Sequence, residues 1–89
     1  MQFAHMSLLS DKKINEIKNS LPISVGKRVK YFRLQQKLTQ VELANLTGKD
    51  RQYIYKIEKG IVTSNIATIA LLAEAMEISL KEFFSEGFE

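Results

Sequence analysis

The chain predicts an all-α fold, and three observations predict it. Apolar residues recur at helical spacing, from Val25, Val29 and Phe32 to Ile66, Ile69, Leu72, Ala73 and Met76. Capping residues precede the runs: Ser10-Asp11, Ser24, Thr39, Asp50, Ser64-Asn65 and Ser79. A 45% hydrophobic content with one Pro and four Gly then fits a folded, helix-rich chain better than a disordered one.

In chain order, Met1 to Ser10 carries no periodic pattern, and His5-Met6 reads as a pair left by a cloning site, which would make Met6 the natural start. Ser10-Asp11 can cap a short helix to about Asn19, with Ile14, Ile17 and Leu21 on one stripe; Pro22 is expected to break it. Residues 1–23 are thus an N-terminal extension expected to pack on the domain or on a second copy. Ser24 caps the next helix, whose Val25, Val29 and Phe32 face the core. Lys27, Arg28 and Lys30 lie on its other faces, open to phosphate or to plain solvation.

Thr39 begins a helix through a T-x-x-E capping box with Glu42. Leu43, Ala44 and Thr47 share a face, and Gly48 offers the left-handed exit. Asp50 caps a second helix with Ile54 and Ile57 inward and Gly60 at its exit. Arg51, Gln52, Tyr55, Lys56 and Lys59 are left facing out. That combination suits nucleic acid: Arg can donate twice to guanine O6 and N7, Gln can pair with adenine N6 and N7, and Lys neutralises phosphate. Beyond Gly60, Ser64-Asn65 caps a helix from about Ile66 to Met76. Ser79 and Glu82 form a second box before a short helix with Leu80, Phe83 and Phe84. Two adjacent Phe cannot both point inward from one turn. With Phe88 they suggest an apolar patch for a second subunit, so Leu80, Phe83, Phe84 and Phe88 are the dimer-interface candidates.

Charge is distributed unevenly. Residues 24–60 hold nine basic and three acidic side chains, net +6; residues 1–23 are +1 and residues 61–89 are −4. A polyanion partner suits the middle segment, with the acidic end turned away. With no cysteine there is neither a disulfide nor a thiolate metal site, which fits a cytoplasmic protein. The lone His5 has no metal-ligating company, so no metal or cofactor is expected. The longest uncharged stretch, Ile61 to Ala73, is too short to span a bilayer, and no secretion signal is visible. One His, no Cys and no glycine-rich phosphate loop leave no catalytic constellation, so the expectation is a non-enzyme.

The run from Val25 to Phe84 resembles the Cro/C1-type (XRE-family) helix-turn-helix proteins, the phage repressors and small bacterial regulators. Gly26, Arg33, Thr39-Gln40, Leu43-Ala44, Gly48, Ile54, Ile57, Glu58, Gly60, Ile66, Ile69, Ala73, Ala75, Ile78 and Phe83 carry the resemblance. It implies a compact five-helix, lambda-repressor-like domain over 24–85, with an extra N-terminal helix before it and a tail, 86–89. By the same resemblance Arg33 and Glu58 form a structural pair, and Gln40 clamps a backbone phosphate. Lys37, Ser64-Asn65 and Glu77 depart from the pattern, which often has Gly, Pro-Ser and Gly there.

The expected function is sequence-specific binding of double-stranded DNA as a transcriptional repressor, homodimeric on a palindromic operator. Base contacts are assigned to Arg51, Gln52, Tyr55 and Lys56, and phosphate contacts to Thr39, Gln40, Lys49, Tyr53 and Lys59. Tyr53 is open to packing as well. The Asp50 to Ile54 stretch also resembles the controllers of restriction-modification operons. The rival readings are an antitoxin and a protein-interaction module, in which a toxin or other regulator would occupy the N-terminal helix or the Phe83-Phe84 patch.

Overall fold

Five α-helices make up the described residues, 8–89, of the computed structural model. They are α1 (Asp11–Gln35), α2 (Gln40–Thr47), α3 (Arg51–Glu58), α4 (Ile66–Ala75) and α5 (Leu80–Phe83). The reading of His5 and Met6 as cloning residues lies outside the described residues.

Every start has a side-chain cap, supplied by Ser10, Thr39, Asp50, Asn65 and Ser79 in turn. At Thr39 the box is complete: the Glu42 amide donates to Thr39 Oγ1 at 3.0 Å, and the Thr39 amide donates to Glu42 Oε1 at 2.8 Å. At Ser79 only the first half forms, with the Glu82 amide donating to Ser79 Oγ. Gly48 and Gly60 take left-handed φ of 69° and 73° at the ends of α2 and α3. Lys37 and Glu77, where the family pattern often has Gly, are also left-handed, with φ of 58° and 60°.

Three expectations are corrected. Pro22 does not end a helix: α1 runs through it unbroken for 25 residues, and Ser24 lies inside rather than at a cap. The reason is that the apolar stripe of Ile14, Ile17, Leu21, Val25, Val29 and Phe32 keeps its phase across Pro22, so a single helix serves both halves. The extra N-terminal helix is therefore the first two to three turns of α1. Ile66, placed on the core stripe of α4, is exposed, since it opens the helix directly after the Asn65 cap and burial begins at Thr68 and Ile69. Phe83 is wholly buried, so it is not free for a second subunit, and Phe88 is partly buried against the core. Gly87, at φ of 91°, turns the tail so that Phe88 reaches the Phe83 ring at a centroid distance of 6.4 Å.

One core gathers all five helices. Val29 and Phe32 from α1, Leu43 from α2, Ile54 and Ile57 from α3, Leu72 with the following Met76, and Phe83 from α5 fill it. Helices α1 and α3 approach closely at Gly26: a Cβ there would stand 2.2 Å from the Ile57 carbonyl oxygen. Only a glycine lets the two helices meet, and that contact sets the pose of α3.

Candidate nucleic-acid interface

The outward face of α3 exists because its inward face is fully used. Ile54 and Ile57 are buried, and the residues between and around them must point away. Arg51, Gln52, Tyr55 and Lys59 are exposed, and Lys56 is partly so. The Tyr55 ring lies between two cations, with the Arg51 guanidinium 5.6 Å and the Lys59 ammonium 5.8 Å from its centroid. Such contacts hold flexible basic side chains along the helix surface.

Tyr53 is half-buried and leans on the core, with Lys49 5.4 Å from its ring centroid. Thr39 is exposed, and its hydroxyl oxygen already accepts from the Glu42 amide.

Beneath the α3 face, α1 and α2 are tied to it by one polar network. Arg33 Nε donates to Glu58 Oε2 at 2.6 Å, Nη2 donates to Glu58 Oε1 at 3.0 Å, and Nη1 donates to the Leu38 carbonyl at 2.8 Å. Gln40 Nε2 donates to the same Glu58 Oε1 at 3.1 Å. The carboxylate thus links the end of α3 both to α1 and to the first turn of α2. This network floors a polar concavity of about 260 Å³ lined by Lys30, Arg33, Gln40, Arg51, Tyr55, Glu58 and Lys59. Four of those seven are cations and one is an anion, so the hollow favours an anionic group.

Lys30, open to phosphate or to plain solvation on the sequence alone, is not among the contacts the sequence assigned. It is exposed, and it joins Gln40, Arg51 and Lys59 at the concavity. The available signal was its i, i+3 spacing to Arg33. Arg28, open to phosphate on the sequence alone, serves the fold instead. Its Nε donates to the Phe83 carbonyl at 2.9 Å and its Nη2 to the Glu82 carbonyl at 3.0 Å. Its guanidinium also lies 4.5 Å from the Phe32 ring centroid. It caps the end of α5 from across the fold.

Two short helices at a tight turn, the second with a basic outer face, match known proteins over residues 29–83, where the helix-turn-helix family aligns. The chain belongs to the Cro/C1-type helix-turn-helix family. It carries that family's DNA-binding fold. Among solved structures, the restriction-modification controller protein C.AhdI from Aeromonas hydrophila superposes with a TM-score of 0.68 at 33% identity, over 71% of this chain and 91% of that one. The immunity repressor protein of Bacillus phage phi105 is 33% identical over 64 residues, 72% of this chain and 44% of the repressor. The transcriptional regulator PuuR of Escherichia coli is 39% identical over 64 residues, 72% of this chain and 35% of PuuR. The chain therefore spans less than half the length of these two relatives. By name all three are regulators rather than enzymes. No helix among the described residues is long and apolar enough to cross a membrane.

Proposed function

We propose that the protein is a sequence-specific, double-stranded DNA-binding transcription regulator, a repressor that acts as a homodimer on an operator with two-fold-related half-sites. The observation that carries this reading is the outer face of α3, where Arg51, Gln52, Tyr55 and Lys56 project beside a cationic hollow. In the proposal α3 enters the major groove. Arg51 and Gln52, in its first turn, meet base edges, with Tyr55 and Lys56 one turn on. Thr39, Gln40, Lys49, Tyr53 and Lys59 flank that face and meet phosphates, and Lys30 joins them through the hollow it shares with Gln40. Gln40 Nε2 keeps one of its hydrogens on Glu58 Oε1 and has the second to donate to a phosphate oxygen, which supports its role at the backbone.

Leu80 and Phe84, both exposed near the C-terminus, are the parts of the expected dimer patch that the monomer leaves open. The acidic segment 61–89 faces away from the phosphates in this arrangement, and a protein acting on bacterial DNA works in the cytoplasm. The deciding experiment is selection and sequencing of bound duplexes from a random pool at two salt concentrations. Enrichment of a two-fold-symmetric site whose affinity falls with salt is expected. Failure to enrich any sequence at either salt would remove base readout by Arg51 and Gln52.

A further inference from the structure

The first turns of α1 stand off from the body across an apolar cleft. Ile17, Lys18, Leu21, Pro22 and Val25 form one wall, and Thr63, Ser64, Ile66, Ile69 and Phe84 form the other, enclosing about 560 Å³. Around it the chain leaves large apolar side chains in water: Ile17 is 43%, Leu21 47%, Ile66 63% and Phe84 37% exposed. A monomer gains nothing from that arrangement, because the arm carries the stripe of a core-facing helix and no core covers it.

We propose that the cleft is filled by the same arm of a second copy, the two arms lying antiparallel across a two-fold axis, so that each enters the cleft of the other. This rests on the homodimer part of the proposed function and moves its surface from Leu80 to the arm and the cleft wall at Phe84. Two features single out a second copy as the occupant. The first is self-complementarity: the cleft takes a helix with an apolar stripe about two turns long, and Ile14, Ile17 and Leu21 on the arm form one. An isologous interface requires a surface that fits itself, and here one wall of the cleft is already the arm.

The second is charge. The arm, residues 8–23, is net +1, with Lys12, Lys13 and Lys18 all exposed, whereas residues 61–89, which supply the far wall, are net −4. Glu82 and Glu86, both exposed, flank Phe84 in the chain. A basic arm that seats on Phe84 from a second copy would come beside these carboxylates. The placement also leaves α3 free, since no residue of its outer face lines the cleft.

The test is the oligomeric state of the full chain by sedimentation equilibrium over a wide concentration range, beside Ile17→Asp, Leu21→Asp and Leu80→Asp. All three positions are exposed in the monomer, so folding should survive, which a melting curve checks. The proposal expects a dimer that Ile17→Asp and Leu21→Asp each weaken by roughly 30-fold or more, the range of a central interface residue, while Leu80→Asp has a much smaller effect. In wild type, hydrogen exchange of the amides at 11–21 should slow as concentration rises through the dimerisation range.

A dimer indifferent to Ile17→Asp and Leu21→Asp but lost with Leu80→Asp, or protection confined to 80–84, would overturn the arm and keep the homodimer. A wild-type chain that stays monomeric at every concentration would overturn both, and if the cleft then took an amphipathic helix from another protein, the occupant would be that partner instead. Affinity for a single half-site of operator, measured in parallel, reports on DNA reading independently of either result.

Discussion

Arg33 and Glu58 stand twenty-five residues apart in the chain and meet through two hydrogen bonds of 2.6 and 3.0 Å, with side chains only 10% and 3% exposed. A charge pair so far from water is worth little against a matched apolar pair, yet either partner alone would be a buried, unpaired ion. Arg33→Met is therefore expected to lower unfolding free energy by about 3 kcal/mol, and Glu58→Leu by a similar amount. The double variant should recover most of the loss. Urea titration of the four proteins gives the cycle; single effects below about 0.5 kcal/mol would mean the pair is hydrated like a surface one.

Gly26 and Gly48 allow a sharper comparison, because the two glycines are needed for different reasons. At Gly26 an added Cβ would strike backbone oxygens of Ile57 and Glu58 at 2.2 and 2.8 Å, and backbone cannot swing aside. At Gly48 an added Cβ meets nothing within 4 Å, and only the left-handed φ of 69° resists it. Gly26→Ala should cost about 3 kcal/mol or more through overpacking, while Gly48→Ala should cost about 1 kcal/mol. Denaturation midpoints in the reverse order would contradict the α1 to α3 contact. Because that contact sets α3, Gly26→Ala should also weaken DNA binding at temperatures where the variant is still folded.

Lys37 and Glu77 are the opposite case, side chains held where glycine would sit without strain. Replacing either with Gly removes a left-handed penalty of about 1–2 kcal/mol and adds unfolded-chain entropy of about 0.5–1 kcal/mol. A net gain of about 0.5–1 kcal/mol per site is expected, read as a rise in melting temperature. A fall at both sites would show that contacts of the Lys and Glu side chains outweigh the strain.

Much of the fold is legible in the sequence because it is local. Thr39 with Glu42, Asp50, and the exits at Gly48 and Gly60 place α2 and α3 within a residue of their observed bounds, since a cap and its partner lie three residues apart in sequence. The outer face of α3 follows from Ile54 and Ile57 alone. What is encoded across the fold cannot be read that way. The Arg28 hydrogen bonds to α5 span 54 and 55 residues, and the Gln40 bond to Glu58 spans 18; neither leaves a spacing signal. Two adjacent Phe must diverge, but only tertiary packing decides that Phe83 turns inward against Phe32 while Phe84 stays outside.

The roles proposed for Arg51 and Lys59 separate by their dependence on sequence and on salt. Arg51→Ala is expected to cost ~1 to 3 kcal/mol on the selected operator and to relax preference at one base position. Lys59→Ala should weaken specific and random duplexes alike and lower the salt slope by about one. Titrations of both variants against operator and scrambled duplex at several salt concentrations check this. Equal losses on both duplexes for Arg51→Ala would move that residue to the backbone.

Pro22 is the remaining departure from ordinary helix chemistry, and it makes the arm of α1 testable on its own. A proline in a helix interior has no amide hydrogen to give the carbonyl four residues back, here Lys18, and its ring crowds that carbonyl. The Lys18 carbonyl is therefore left without its helical partner at Pro22. Pro22→Ala should restore the missing bond and stabilise the chain by about 1–3 kcal/mol, the scale of the proline penalty within a helix. The gain should appear as slower amide exchange in residues 11–21 and leave half-site DNA affinity unchanged, because α3 is held by Gly26 and Arg33 further along α1. If Pro22→Ala instead destabilised the protein, the backbone geometry that the proline imposes would be what aligns the arm with the cleft wall at Ile66 and Phe84. Dimer affinity measured on the same variant would then fall with stability rather than rise.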